Sequence, residues 1–235
     1  MLDIRDLNLS YGQKQVLKGI NLQVAEGEIH GVLGMNGAGK TSLFNLLYGS
    51  IRPQSGQCEY KEQPLDPQQI GYLETQNYFY PYLKGGEYLE LLSLARTEFD
   101  ISRWNQLFEL PLEGRVDQYS TGMKKKLAFL GILALDRPIL ILDEPFNGVD
   151  VESNEKMEQI LKRLRQQGKI ILLSSHIISG LTSICDRISY LSEGRFQRTY
   201  EAQDFPQLEQ ALKTLIEQQI RTTLDELLPQ APKKS

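Results

Sequence analysis

Gly34-Met35-Asn36-Gly37-Ala38-Gly39-Lys40-Thr41 satisfies G-x-x-x-x-G-K-[ST], and it stands between the apolar run IHGVL and a stretch of helical composition, Thr41 to Tyr48. Strand, glycine-rich turn and helix in that order leave few architectures open. The glycines let successive backbone N–H groups converge on one point, and the following helix directs the positive end of its dipole there. The pattern predicts a phosphate-binding loop. Lys40 supplies a mobile charge to the phosphates, Thr41 offers its hydroxyl to a Mg²⁺ bridging the β- and γ-phosphates, and Ser42 continues the same turn. No G-x-G-x-x-G lies in this stretch, so a dinucleotide-binding dehydrogenase is a poor fit.

Around the loop the apolar pattern alternates between short runs and helical segments. Leu2 to Leu9, Val16 to Val24 and Glu28 to Leu33 read as strands, and Ile70 to Leu73 as another. From about 76 to 135 the pattern becomes helical, punctuated by Pro81, Gly85-Gly86, Pro111 and Gly114. Strands then return at Ile139 to Leu142, Ile170 to Ser174, Arg187 to Leu191 and Arg195 to Tyr200, with a helix from Val151 to Gln166. Continuous apolar runs followed by helices predict an α/β chain with parallel strands buried on both faces. We expect one domain over 1–203 with a helical subdomain at about 76–135, an amphipathic helix over 204–228, and a disordered tail over 229–235.

The run Ile139 to Leu142 leads into Asp143-Glu144, which places two carboxylates at the C-terminal end of a buried strand, the end at which ligands bind in such sheets. Asp143 is a candidate for holding Mg²⁺ and Glu144 for accepting a proton from, or orienting, the water that attacks the γ-phosphate. His176 leaves the next strand at the same edge and is a candidate γ-phosphate partner; His30, inside a strand, reads as a packed, satisfied histidine. Tyr11 follows the first strand at a turn, where stacking on adenine and ordinary packing are both open.

The 26 Lys plus Arg against 30 Asp plus Glu give a net charge of −4, so no nucleic-acid partner is expected. Cys58 and Cys185, far apart, suggest neither a disulfide framework nor a zinc site. The N-terminus lacks the pattern of a secretory signal, and the longest apolar run, Leu127 to Leu135, is too short to cross a bilayer.

Taken together, these motifs resemble the nucleotide-binding subunits of ATP-binding cassette (ABC) transporters over nearly the whole chain. GMNGAGKT resembles that family's Walker A, ILILDEP its Walker B with the catalytic glutamate, FNGVD its D-loop ending at Asp150, SSH its switch histidine, and Tyr11 its adenine-stacking aromatic. YSTGMKKK stands where the family carries LSGGQ, with Tyr119, Thr121 and Met123 in place of leucine, glycine and glutamine; its form is similar to the ABC-2, exporter-like branch. The Q-loop position is occupied by Thr75, with Gln76 one place later, and either is a candidate for that role. The resemblance implies a P-loop NTPase fold with a RecA-like core, an N-terminal antiparallel β-subdomain and a helical subdomain. It implies ATP and Mg²⁺ as cofactors and a head-to-tail homodimer or heterodimer with a second ABC ATPase subunit, in which Ser120, Thr121, Gly122 and Met123 meet ATP held by the partner. It further implies integral membrane permease subunits, and a cytoplasmic chain peripheral on the inner face of the cell membrane that hydrolyses ATP to drive transport. The alternatives are a non-transport ABC ATPase acting in DNA repair or on ribosomes, and an ATP-gated scaffold with little turnover. Lys124 to Lys126 read as a solvated face or as added positive potential; Tyr78, Phe79, Tyr80 and Tyr82 read as a permease contact or as subdomain core.

Overall fold

Strands β3 (Ile29–Leu33), β7 (Ile139–Asp143) and β8 (Ile170–Ser175) are buried at every residue, which is why they read as unbroken apolar runs. The computed structural model describes residues 1–94 and 98–227. In it these three strands form the centre of a six-stranded sheet ordered β10-β9-β3-β8-β7-β6, where β6 is Ile70–Leu73, β9 Arg187–Ser192 and β10 Arg195–Glu201. The pairs β6·β7, β7·β8, β8·β3 and β3·β9 are parallel. Only β10 runs antiparallel, joined to β9 by Glu193-Gly194, both at positive φ as a tight hairpin requires.

A second, antiparallel sheet is ordered β2-β1-β4-β5, with β1 Leu2–Tyr11, β2 Lys14–Val24, β4 Ser55–Tyr60 and β5 Gln63–Pro64. The apolar pattern does not announce β4: it leaves Ser55, Gly56 and Gln57 exposed, and its hydrogen bonds to β1, from Leu2↔Tyr60 to Asn8↔Ser55, supply what its composition does not.

Two apolar clusters follow from the period-2 alternation of the central strands. Ile139, Ile141, Ile170 and Leu172 face the antiparallel sheet and α1 (Lys40–Leu47). Leu140, Leu142, Ile171 and Leu173 face the opposite layer, α2 (Gly85–Ser93), α3 (Ile101–Asn105), α4 (Thr121–Leu135), α5 (Val151–Gln166) and α6 (Ser179–Thr182). The helix α7 (Phe205–Leu227) packs on this second cluster through Leu208 and Leu212, while Leu224 and Leu227 are exposed. The side chains of Leu215 and Ile216, and the tail over 229–235, lie outside the described residues. Tyr78, Tyr80 and Tyr82 are exposed on the irregular segment before α2, whereas Phe79 packs against the core. Among the described residues no helix is long and apolar enough to cross a membrane.

Candidate active site

The register of the parallel strands brings their C-terminal ends to one edge: Leu33 of β3 stands beside Ser175 of β8, and Ser174 beside Asp143 of β7. The loop 34–39 leaves β3 there. A Cβ on Gly34 would lie 2.7 Å from the Leu191 carbonyl oxygen, and Gly37 and Gly39 adopt φ 82° and 111°, so glycine is needed both for close approach and for the turn. No side chain caps α1 and no acidic residue occupies its first turn, which leaves its N-terminal N–H groups to an anion. Lys40, only 7% exposed, folds its ammonium onto the Gly34 carbonyl at 2.7 Å and lies 3.5 Å from Glu144 Oε1.

Asp143 is fully buried and accepts three hydroxyls. Thr41 Oγ1 and Thr75 Oγ1 each donate to Oδ2 at 2.7 Å, and Ser174 donates to Oδ1. A carboxylate ringed by hydroxyl oxygens is a hard-donor set that suits Mg²⁺, which binds through few protein ligands and completes its octahedron with water and phosphate. Of the two Q-loop candidates, Thr75 is the one that donates to Asp143. Gln76 is exposed and does not line the cavity that Thr75 shares with Asp143, Glu144, the residues 35–42 and the half-exposed Tyr11. That cavity holds about 260 Å³.

Glu144 turns the chain out of β7 at φ 50°, a left-handed backbone rare outside glycine. Its N–H donates to Ser174 Oγ at 3.0 Å; Oε1 lies 3.0 Å from His176 Nδ1, and Oε2 accepts from Asn147 Nδ2 at 3.2 Å. Its carbonyl accepts from Lys125 Nζ at 2.9 Å. His176, with 38% of its side chain exposed, keeps Nε2 for a group outside this network.

Ser120 to Met123 are not among the cavity's lining residues. Ser120 caps α4, its Oγ accepting from Met123 N at 3.2 Å, and a Cβ on Gly122 would lie 2.6 Å from the Gly148 carbonyl oxygen. Asp150 caps α5 through Ser153 N at 2.8 Å; that backbone bond, then the Ser153 hydroxyl and Lys126, hold its carboxyl well below the usual range. The lysine run is therefore not a uniformly solvated face. Lys125 is 3% exposed and turned onto Glu144, and Lys126 is paired with Asp150. Sequence reasoning missed Lys125, although its phase with the buried Ala128, Phe129 and Ile132 is a signal that could have found it.

His30 is satisfied as expected. Its Nδ1 meets Glu28 Oε1 at 2.9 Å and its Nε2 meets Ser189 Oγ at 2.8 Å; the carboxylate can only accept, so Nδ1 carries the proton.

A phosphate-binding loop at the strand edge of a parallel sheet, with a hydroxyl-ringed aspartate beside a clasped glutamate, defines a P-loop nucleotide-binding protein. Residues 17–147 match the ABC transporter family, and the chain belongs to it. It is similar to the uncharacterized ABC transporter ATP-binding protein all4389 of Nostoc sp. (39% identical, over 76% of this chain and 57% of that protein). It is also similar to the ABC transporter ATP-binding protein YtrB of Bacillus subtilis (28% identical, over 98% of this chain and 84% of that protein). The chain thus spans little more than half the length of the Nostoc relative. A solved ATP-binding subunit of an ABC transporter shares the fold with a TM-score of 0.77 and 26% identity, over 87% of this chain and 91% of that one.

Proposed function

We propose that this chain binds and hydrolyses ATP and thereby energises a membrane permease, at the cytoplasmic face of the membrane and as one half of a dimer of such chains. The observation that carries the reading is the convergence of Thr41, Thr75 and Ser174 on Asp143, beside a Glu144 clasped by His176 and Lys40. In it, the loop N–H groups and Lys40 hold the phosphates, Tyr11 stacks on adenine, and Thr41 and Asp143 hold Mg²⁺. When bound, Mg²⁺ supplies charge neutralisation between the β- and γ-phosphates.

Glu144 orients a water and takes its proton as the water oxygen bonds to the γ-phosphorus; the bond from that phosphorus to the bridging oxygen breaks, and its electron pair leaves on ADP. His176 fixes the Glu144 carboxylate through Nδ1 and presents Nε2 to the γ-phosphate. In the proposed dimer Ser120 to Met123 of a second chain complete the site: the N-terminus of α4 offers N–H groups and a hydroxyl to the terminal phosphate. Purified protein with Mg²⁺ and ATP is expected to release phosphate. Glu144→Gln lowers kcat by about 10²- to 10⁴-fold, the share general-base catalysis supplies, while ATP binding persists. A wild-type chain that binds ATP and shows no turnover, alone or with its permease, would sink the reading.

A further inference from the structure

Lys125 is a buried ammonium whose hydrogen bond goes to a backbone carbonyl, that of Glu144 at 2.9 Å. Burial pushes its pKa down, against the Asp143 and Glu144 carboxylates, which push it up. Desolvating an ammonium carries a penalty that an apolar side chain of the same shape would not. The Glu144 carbonyl would not be orphaned by such a replacement, because Asn147 N donates to it at 3.3 Å. The charge at position 125 is therefore poorly explained by stability.

What it touches gives the better account. A non-glycine residue in the left-handed region is strained and persists only where the surroundings over-determine it. Glu144 is held at both ends of its backbone, at N–H by Ser174 and at C=O by Lys125 and Asn147. This turn carries the carboxylate back over the loop to within reach of Lys40 and His176. An ammonium makes a charge-assisted bond to the carbonyl, about twice as strong as a neutral one.

We propose that Lys125 is a positioning residue for ATP hydrolysis: its ammonium, donated from α4 to the Glu144 carbonyl, holds the turn that aims the Glu144 carboxylate at the attacking water. This rests on the reading of Glu144 as the base. Lys125 acts only through Glu144, so its loss is felt in kcat and not in nucleotide affinity.

The test compares wild type, Lys125→Met, which keeps length and removes the donor, and Lys125→Arg, which restores a cationic donor. Lys125→Met is expected to lower kcat by about 10- to 100-fold, as a small misplacement of a reacting group does, with KM for ATP within about twofold of wild type. Lys125→Arg recovers part of the loss. Hydrogen–deuterium exchange over residues 144–150 of nucleotide-free protein, which needs no turnover, is faster in Lys125→Met. If Lys125→Met does not fold, Lys125→Leu, which also lacks a donor, carries the same measurements. Wild-type kcat in the Met variant, a raised KM with kcat intact, or unaltered exchange each overturn the proposal. A wild-type chain without turnover counts against the proposed function instead, and the exchange comparison still decides whether Lys125 holds the turn.

Discussion

His30 shows what burial does to one titratable residue. Burial lowers its pKa, and although the Glu28 hydrogen bond and charge pull the other way, and Arg187 and Glu201 act in opposite senses, the net direction is down. Glu28 is itself pushed up by burial but brought down to about 2 by the bonds from His30, Arg187 and Ala25 N. The unfolded chain therefore takes up the His30 proton first as pH falls, and stability follows the pH downward. We predict that the thermal midpoint of wild type falls from about pH 7.5 to about pH 5.5, through the unfolded-state value near 6.5, and that His30→Asn flattens this part of the profile; equal slopes would contradict the assignment. His30 was legible because a histidine inside an apolar run has to be buried and satisfied. Lys125 was not, because three consecutive lysines look solvated until the phase of the helix turns one of them inward.

Helix α4 joins the two functional regions. Its first turns are fastened to the segment after β7 at three places: Gly122 against the Gly148 carbonyl, Lys125 on the Glu144 carbonyl, and Lys126 on Asp150 and Ser153. Its other end packs on α2, where a Cβ on Gly131 would lie 2.6 Å from Leu92 Cδ1 and 2.8 Å from the Tyr88 ring. Gly131→Ala is therefore predicted to destabilise the fold by about 1 kcal/mol, the overpacking cost less the helix propensity that alanine regains, read as a lower urea midpoint at unchanged m-value. Neither Gly131 nor its neighbours Leu92 and Tyr88 line the nucleotide cavity, which leaves ATP turnover per folded molecule near wild type. The strong elements were readable from apolar period alone, with α5 matching its expected bounds, Val151–Gln166. The strand β4 was not, because a strand half exposed to water is held by backbone bonds to β1 and β5 that leave no mark on its side chains.

At the scale of the molecule, the loop and the signature segment serve different nucleotides in the proposed dimer. Lys40→Ala removes one half of a shared site and Ser120→Arg the other, so each variant alone is expected to be inactive. Mixed heterodimers then contain one intact site, and we predict recovery to roughly half the wild-type rate per intact dimer if sites act independently; verified heterodimers with no recovery would argue for sites closed within single chains. The amino-acid order alone determined the loop, the strands that carry it and the identity of its carboxylates, because a phosphate cradle needs contiguous residues and buried strands need contiguous apolar ones. Only the tertiary structure decided that Thr75 rather than Gln76 reaches Asp143, and that Lys125 reaches Glu144. Thr41 and Thr75 meet Asp143 across 102 and 68 residues. Contacts at that separation depend on strand register and helix packing, which no local pattern encodes.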